Sequence, residues 1–259
     1  MKIISWDIGI ENLAYCIVKD KKIIKWNKID ILSEYRKNYK CCGVLKNKTN
    51  CDNNASFASK GMEYYCKLHK KQCSNEVKPI VDHELCSMYN KSGKKCSFKA
   101  LTQKENEYYC KKHNVEGSEP YYSLNNIPFY NKSRLLLQKL ENEDDILNVD
   151  QVFIENQPVY KNPVMKSIQM ILYTYYLMNM DKNNIQKVDL LNATEKMKVY
   201  KGPEIVCNIK DIHARNKYLS KEYCKYFLQD QPESLEYFDT FKKQDDVADT
   251  YLQAMCFFK

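Results

Sequence analysis

The sequence predicts an α/β layer fold, a mixed sheet with flanking helices, carrying a small cysteine-rich module inserted near its N-terminus. Three observations predict it. Strand-like apolar runs open the chain and return after residue 150, and stretches of helical periodicity separate and follow them. Residues 36–118 break the pattern, being polar, basic and full of Cys, Tyr and Lys. The 259 residues, 44% of them hydrophobic, suffice for one core domain and a small accessory unit. The expected division is therefore a discontinuous domain, 1–35 and 119–259, around a module at 36–118.

Residues Lys2–Ile10 read as a buried strand ending at Gly9, and Leu13–Val18 and Lys22–Ile31 as the next two, joined by the polar turn Lys19-Asp20-Lys21. Beyond the insertion, Asn125–Leu140 reads as a helix with Ile127, Leu135, Leu136 and Leu140 as core candidates. The acidic stretch Glu141–Asp145 follows as its end and a loop. Val152-Phe153-Ile154 suits a central strand. Asn162-Pro163 is a helix start, Asn as N-cap and Pro at the first position. Val164, Ile168, Ile171, Leu172 and Tyr175 then recur at helical spacing. Lys187–Leu191 is a fifth strand and 211–229 a helix. Asp245–Phe258 is a last helix with Val247, Ala248, Tyr251, Leu252 and Met255 on its apolar side.

No segment approaches 18 uninterrupted apolar residues, and the N-terminus turns polar too soon for a signal peptide, so a soluble intracellular protein without a membrane span is expected. The net charge is +8, unevenly placed. Residues 36–113 hold 17 Lys/Arg against 7 Asp/Glu, a surplus of 10 that leaves the remainder at −2. Such a module attracts polyphosphate, although a solvated lysine surface has the same composition.

Four acids stand where carboxylates are costly. Asp7 lies among Ile3, Ile4, Trp6 and Ile8; Glu155 directly follows Val-Phe-Ile; Asp246 and Asp249 are three apart on the last helix and share a face. Singly, each has an ordinary explanation, such as a strand-to-turn junction, a lysine pair or a helix N-terminal charge. Together they describe a set that divalent cations would relieve. Mg²⁺ (or Mn²⁺) takes oxygen ligands, and two such ions at one site suit in-line phosphodiester hydrolysis.

The blocks Ser5-Trp6-Asp7-Ile8-Gly9-Ile10-Glu11-Asn12-Leu13-Ala14, Ile154-Glu155-Asn156-Gln157-Pro158 and Lys243-Gln244-Asp245-Asp246-Val247-Ala248-Asp249-Thr250 resemble those of RuvC-like Holliday junction resolvases, especially those of poxviruses and other large DNA viruses. The segment Asn162–Lys166 is also similar to theirs. The likeness covers roughly residues 1–32 and 125–258. It implies a ribonuclease H-like fold and a homodimer that nicks four-way DNA junctions symmetrically. It implies Asp7, Glu155, Asp246 and Asp249 as catalytic acids holding two Mg²⁺ or Mn²⁺, with Asp245 a less certain neighbour. If the viral likeness extends to the source, the place of action is a viral replication site in host cytoplasm. Competing readings are a ribonuclease H-type or transposon-type nuclease and a non-enzymatic zinc-containing DNA-binding protein. The scarcity of glycine, six in all, disfavours an ATPase with Gly-rich phosphate loops.

The insertion repeats with a period of 44 residues. One copy is Cys42, Cys51, Cys66 and His69, the other Cys86, Cys96, Cys110 and His113, and both contain Glu-Tyr-Tyr-Cys-Lys-x-His. Three thiolates and an imidazole close a tetrahedral Zn²⁺ site, so two structural zinc ions per chain are expected. Cys41 adjoins Cys42; the offset to Cys86 selects Cys42. Cys73 and His83 have no counterparts, and Cys16, Cys207, Cys224 and Cys256 read as core or chance residues. Expected DNA contacts are Lys161, Asn162 and Lys166 at a helix N-terminus, which can hold phosphate, together with Lys242 and Lys243. The module contacts either DNA, its tyrosines stacking on unpaired bases, or another protein.

Overall fold

The computed structural model of the protein describes all residues except 37, 38, 60, 62, 74, 81–83, 242 and 259. It forms two compact units, Met1–Ser33 with Phe129–Lys259, and Glu34–Pro128.

The first unit is built on a five-stranded sheet. Its strands are β1 (Lys2–Asp7), β2 (Leu13–Lys19), β3 (Lys22–Ile29), β4 (Gln151–Glu155) and β5 (Lys187–Leu191), in the spatial order β5-β4-β1-β2-β3. The first three form an antiparallel meander, and β4 and β5 extend it in parallel from β1. The β2–β3 turn is Asp20-Lys21, both in the left-handed region (φ 50° and 68°), whose twist matches that of the strands it joins. β1 stops at Asp7, two residues before the expected Gly9, because the chain turns there. A Cβ on Gly9 would lie 2.4 Å from the Asn12 carbonyl oxygen, so this turn admits only glycine without displacement.

Side chains alternate along β1 between two buried faces. Trp6 points to α2 (Pro163–Asn183), where its indole N–H donates to Tyr176 Oη at 3.0 Å. Ser5 points the other way and donates to the Thr250 carbonyl of α5 (Gln244–Met255). α1 (Phe129–Glu141) packs beside α2. α3 (Ile212–Phe227) and α4 (Pro232–Thr240) pack against α5, where Trp26 stacks on Phe238 and donates to Val247 O at 2.9 Å. Leu135, Leu136, Ile168, Leu172 and the apolar side of α5 are buried as their spacing requires. α4 was not separately expected; Gln231-Pro232 starts it, with Pro in the first turn.

The second unit contains two small three-stranded sheets. One joins Phe57–Ser59, Tyr64–Tyr65 and Val77–Pro79; the other joins Thr102–Lys104, Glu107–Tyr109 and Glu119–Pro120. The second sheet therefore draws on residues beyond His113. Apart from the cysteines, its buried apolar residues are few, among them Tyr65, Ala100, Tyr109 and Ile127.

Gly9→Ala is expected to destabilise the protein by about 1–3 kcal/mol, since the methyl group meets backbone rather than a movable side chain. Denaturant unfolding at fixed zinc content checks this.

Candidate active site and metal centres

Alternation that sends Ser5 toward α5 sends Asp7 the same way, and Phe153 and Glu155 do likewise on β4. The parallel register pairs Ser5 with Phe153 and Trp6 with Ile154. The next step sets Asp7 beside Glu155 at the carboxyl ends of neighbouring strands, where open α/β sheets bind ligands. α5 crosses this edge and adds Asp249. Burial, then repulsion from Glu155, raises the Asp7 carboxyl well above its ordinary range. Burial also raises that of Asp249, against the pull of Lys196.

The counter-charge is Lys196, in the 3₁₀ turn Glu195–Lys198 after β5. It is 9% exposed, and its ammonium lies 2.6 Å from Asp249 Oδ2 and 3.4 Å from Glu155 Oε2. Burial alone would lower its pKa, but Asp249, Glu155 and Asp7 outweigh that and keep it charged. Two neutral groups complete the arrangement. Ser220 of α3 donates to Asp249, and Gln253, one turn after Asp249, donates to Glu155 Oε2 at 3.2 Å. Sequence reasoning missed Lys196, Ser220 and Gln253. For Gln253 a signal existed, the i+4 spacing from Asp249; one lysine among 41 Lys/Arg offers none.

The other two helix acids have different neighbours. Asp246 is half-buried and raised by burial and by Asp245, with Lys243, Lys28 and Lys217 opposing. Asp245 pairs with Lys217 at 2.6 Å; burial would raise its carboxyl, but Lys217 holds it below its ordinary range. The structure thus brings Glu155 and Asp249 onto one ammonium, with Asp7 hydrogen-bonded beside Glu155 and Asp246 a turn away from Asp249 on the same helix.

Of the expected DNA contacts, Lys161 and Lys243 are exposed. Asn162 caps α2, its side chain accepting from Met165 N at 3.2 Å. Lys166 is tied to Asn156 Oδ1 at 2.8 Å and Gln169 Oε1 at 3.2 Å, fixing the loop after β4. Lys242 lies outside the described residues, as does His83.

The second unit holds two Cys₃His sets, Cys41, Cys51, Cys66, His69 and Cys86, Cys96, Cys110, His113, each with its ligand atoms within 4.8 Å of one another. Among the described residues these are the groups of three or more Cys, His, Asp or Glu drawn that close. Cys41 replaces the expected Cys42. Its sulfur lies 3.6 Å from His69 Nδ1 and accepts backbone N–H bonds from Gly43 (3.3 Å) and Cys66 (3.2 Å), while Cys42 is exposed. The same loop geometry explains the correction. Cys41 to Cys51 and Cys86 to Cys96 are both ten residues apart, so the repeats differ in length only between the second and third cysteines. In the other set, Cys96 and Cys110 sulfurs are 3.9 Å apart, close to the edge of roughly 3.8 Å expected for a tetrahedral zinc–thiolate site. Either set could hold zinc, and four protein ligands leave no open position for chemistry.

No protein-family model matches the chain. It is 32% identical to the uncharacterized protein L451 of Acanthamoeba polyphaga mimivirus, over 98% of this chain and 73% of that protein. The chain belongs to that protein's family. Among solved structures, the yeast mitochondrial Holliday junction resolvase Ydc2 matches over 98% of this chain and 77% of its own, at 14% identity and a TM-score of 0.43. No helix of the described residues is long and apolar enough to cross a membrane.

Two predictions follow from these sites. Cys41→Ser should lower the zinc content by one ion per chain, whereas Cys42→Ser should leave it unchanged, as read by elemental analysis. For Asp7, the raised carboxyl means that the folded state binds its proton at a pH where the unfolded chain has released it. Stability contributed by Asp7 therefore falls as pH rises through that window. Without Mg²⁺ or Mn²⁺, Asp7→Asn should stabilise the protein at neutral pH by on the order of 1 kcal/mol, with the gain shrinking on acidification. Thermal unfolding across pH measures it.

Proposed function

We propose that the protein is a metal-dependent endonuclease that cuts branched DNA, resolving four-way junctions as a homodimer on a ribonuclease H-like fold. The observation that carries this reading is the cluster of three buried carboxylates at the carboxyl edge of the sheet, Glu155 and Asp249 paired to the Lys196 ammonium and Asp7 beside Glu155. Strand order β5-β4-β1-β2-β3, with the meander antiparallel and the last two strands parallel, supports the fold assignment.

The donor set fits a hard divalent cation. All its ligands are carboxylate oxygens, and the Lys196 ammonium stands where positive charge is needed. Asp7, Glu155 and Asp249 would hold Mg²⁺ or Mn²⁺, with Asp246 joining from the preceding turn of α5 when two ions bind. Such ions would supply Lewis-acid stabilisation of the phosphoryl oxygens and a more acidic water. The chain's own residues orient this set. Gln253 fixes the Glu155 carboxylate and Ser220 that of Asp249. With a metal held by those carboxylates, Lys196 would be free to hold a phosphate oxygen of the scissile strand. Lys161, just before the N-terminus of α2, and Lys242 and Lys243 would meet flanking phosphates.

Cleavage of synthetic four-way junctions, matched duplexes, flaps and RNA–DNA hybrids with Mg²⁺ or Mn²⁺ tests the reading. Junctions should be cut in preference to the others. Asp7→Asn, Glu155→Gln and Asp249→Asn should each lower the rate by about 100-fold or more while junction binding persists. Asp246→Asn should cost more than Asp245→Asn. Full cleavage without divalent metal, or in any two of the first three variants, would overturn the assignment; preference for hybrids would redirect it to a ribonuclease.

A further inference from the structure

The two zinc repeats share their ligands and their sheets, but their surfaces differ. In the second, the hairpin from Leu85 to Lys99 exposes two aromatic rings, Tyr89 at 67% and Phe98 at 53%. Each ring has lysine beside it. Tyr89 is the bridge partner of Lys95; Phe98 precedes Lys99, and Lys112 sits 4.9 Å from its ring centroid. Between Cys86 and His113 there are 7 lysines and 2 glutamates.

The matching positions of the first repeat carry none of this. With Cys41 aligned to Cys86, Tyr89 corresponds to Val44, Lys95 to Asn50, Phe98 to Asn53 and Lys99 to Asn54; His69 aligned to His113 sets Lys112 against Leu68. Cys41–His69 holds 4 lysines and 2 acids. Its Phe57, under Lys70, is half-buried in the small sheet rather than displayed. Both repeats carry the same four ligand types, so a purely structural role for the insertion accounts for what they share. It does not account for exposed rings on one copy only.

We infer that the second zinc repeat, through Tyr89 and Phe98 with Lys95, Lys99 and Lys112, is a docking surface for single-stranded DNA. An aromatic face stacks on any base, and the adjacent ammonium groups meet the phosphates that such a strand carries. Aliphatic residues, as at Val44 and Leu68, offer no such face. The lysine surplus favours a polyanion over a protein partner, and the rings favour unpaired bases over duplex. The inference is independent of the cleavage reading, since the site lies wholly within the insertion and binding needs no hydrolysis.

The test uses the full, zinc-loaded chain and a fluorescent 20-nucleotide oligo(dT), with a 20-base-pair duplex in parallel, in buffer lacking Mg²⁺ and Mn²⁺. Anisotropy is followed as a function of salt. Tyr89→Ala/Phe98→Ala should weaken oligo(dT) binding by about tenfold or more, leave the salt slope unchanged, and affect duplex binding less. Lys95→Ala/Lys99→Ala/Lys112→Ala should weaken both and make the oligo(dT) slope shallower by about 0.7 per lost contact. Val44→Ala/Leu68→Ala in the first repeat should stay within twofold of the parent. Zinc content is measured throughout; if the alanine pair loses metal, Tyr89→Leu/Phe98→Leu keeps apolar bulk without an aromatic face and should show the same loss. Oligo(dT) affinity unchanged in the zinc-loaded ring variant, or lowered equally by the first-repeat control, would overturn the inference and point to a protein partner.

Discussion

A sheet that brings two carboxylates side by side at its buried edge, and a helix that adds a third, creates a charge that has to be compensated. In this protein Lys196 does so, from a short turn after the last strand. Much of the first unit is arranged around this interaction. The register of β1 and β4 fixes the spacing of Asp7 and Glu155, and α5 is held across the strands by Ser5, Trp26 and Thr250. Gly9 lets the chain leave β1 immediately after Asp7. A single ammonium cannot neutralise three carboxylates, and burial, then repulsion from Glu155, raises the affinity of Asp7 for a proton. A divalent cation would remove it without altering the backbone.

The second unit meets a different constraint. Its segments are too polar to bury much apolar surface, and its sheets are only three short strands each. Metal–thiolate bonds would replace the missing core, which is why ligand identity is strict there while surface residues diverge between the copies. That freedom allows one repeat to display aromatic rings and the other aliphatic residues and asparagines.

Strands and principal helices were legible because apolar periodicity and the Asn162-Pro163 start are local signals. Asp7 and Glu155 stood out because they interrupt or end apolar runs, and Asp249 because its spacing from Asp246 fixes a helix face. The compensating groups were not legible. Lys196 sits in a 3₁₀ turn without periodicity, in a chain where lysine is common, and Ser220 reaches the site only through the packing of α3 on α5. A single 44-residue offset applied to the whole repeat selects Cys42 over Cys41. The repeat instead changes length between its second and third cysteines, and the placed sulfurs select Cys41, which keeps the first spacing at ten residues in both copies.

The central proposal is that Asp7, Glu155 and Asp249 form a site for a divalent cation, where Lys196 pairs with Glu155 and Asp249 when no metal is bound. Anomalous diffraction from crystals of the zinc-loaded protein soaked in Mn²⁺ tests it most directly. The account predicts a manganese peak bounded by those three carboxylates, with the Lys196 ammonium moved away from Asp249. Manganese absent from that position while Lys196 still bridges Asp249 and Glu155, at a concentration that supports cleavage, would contradict it.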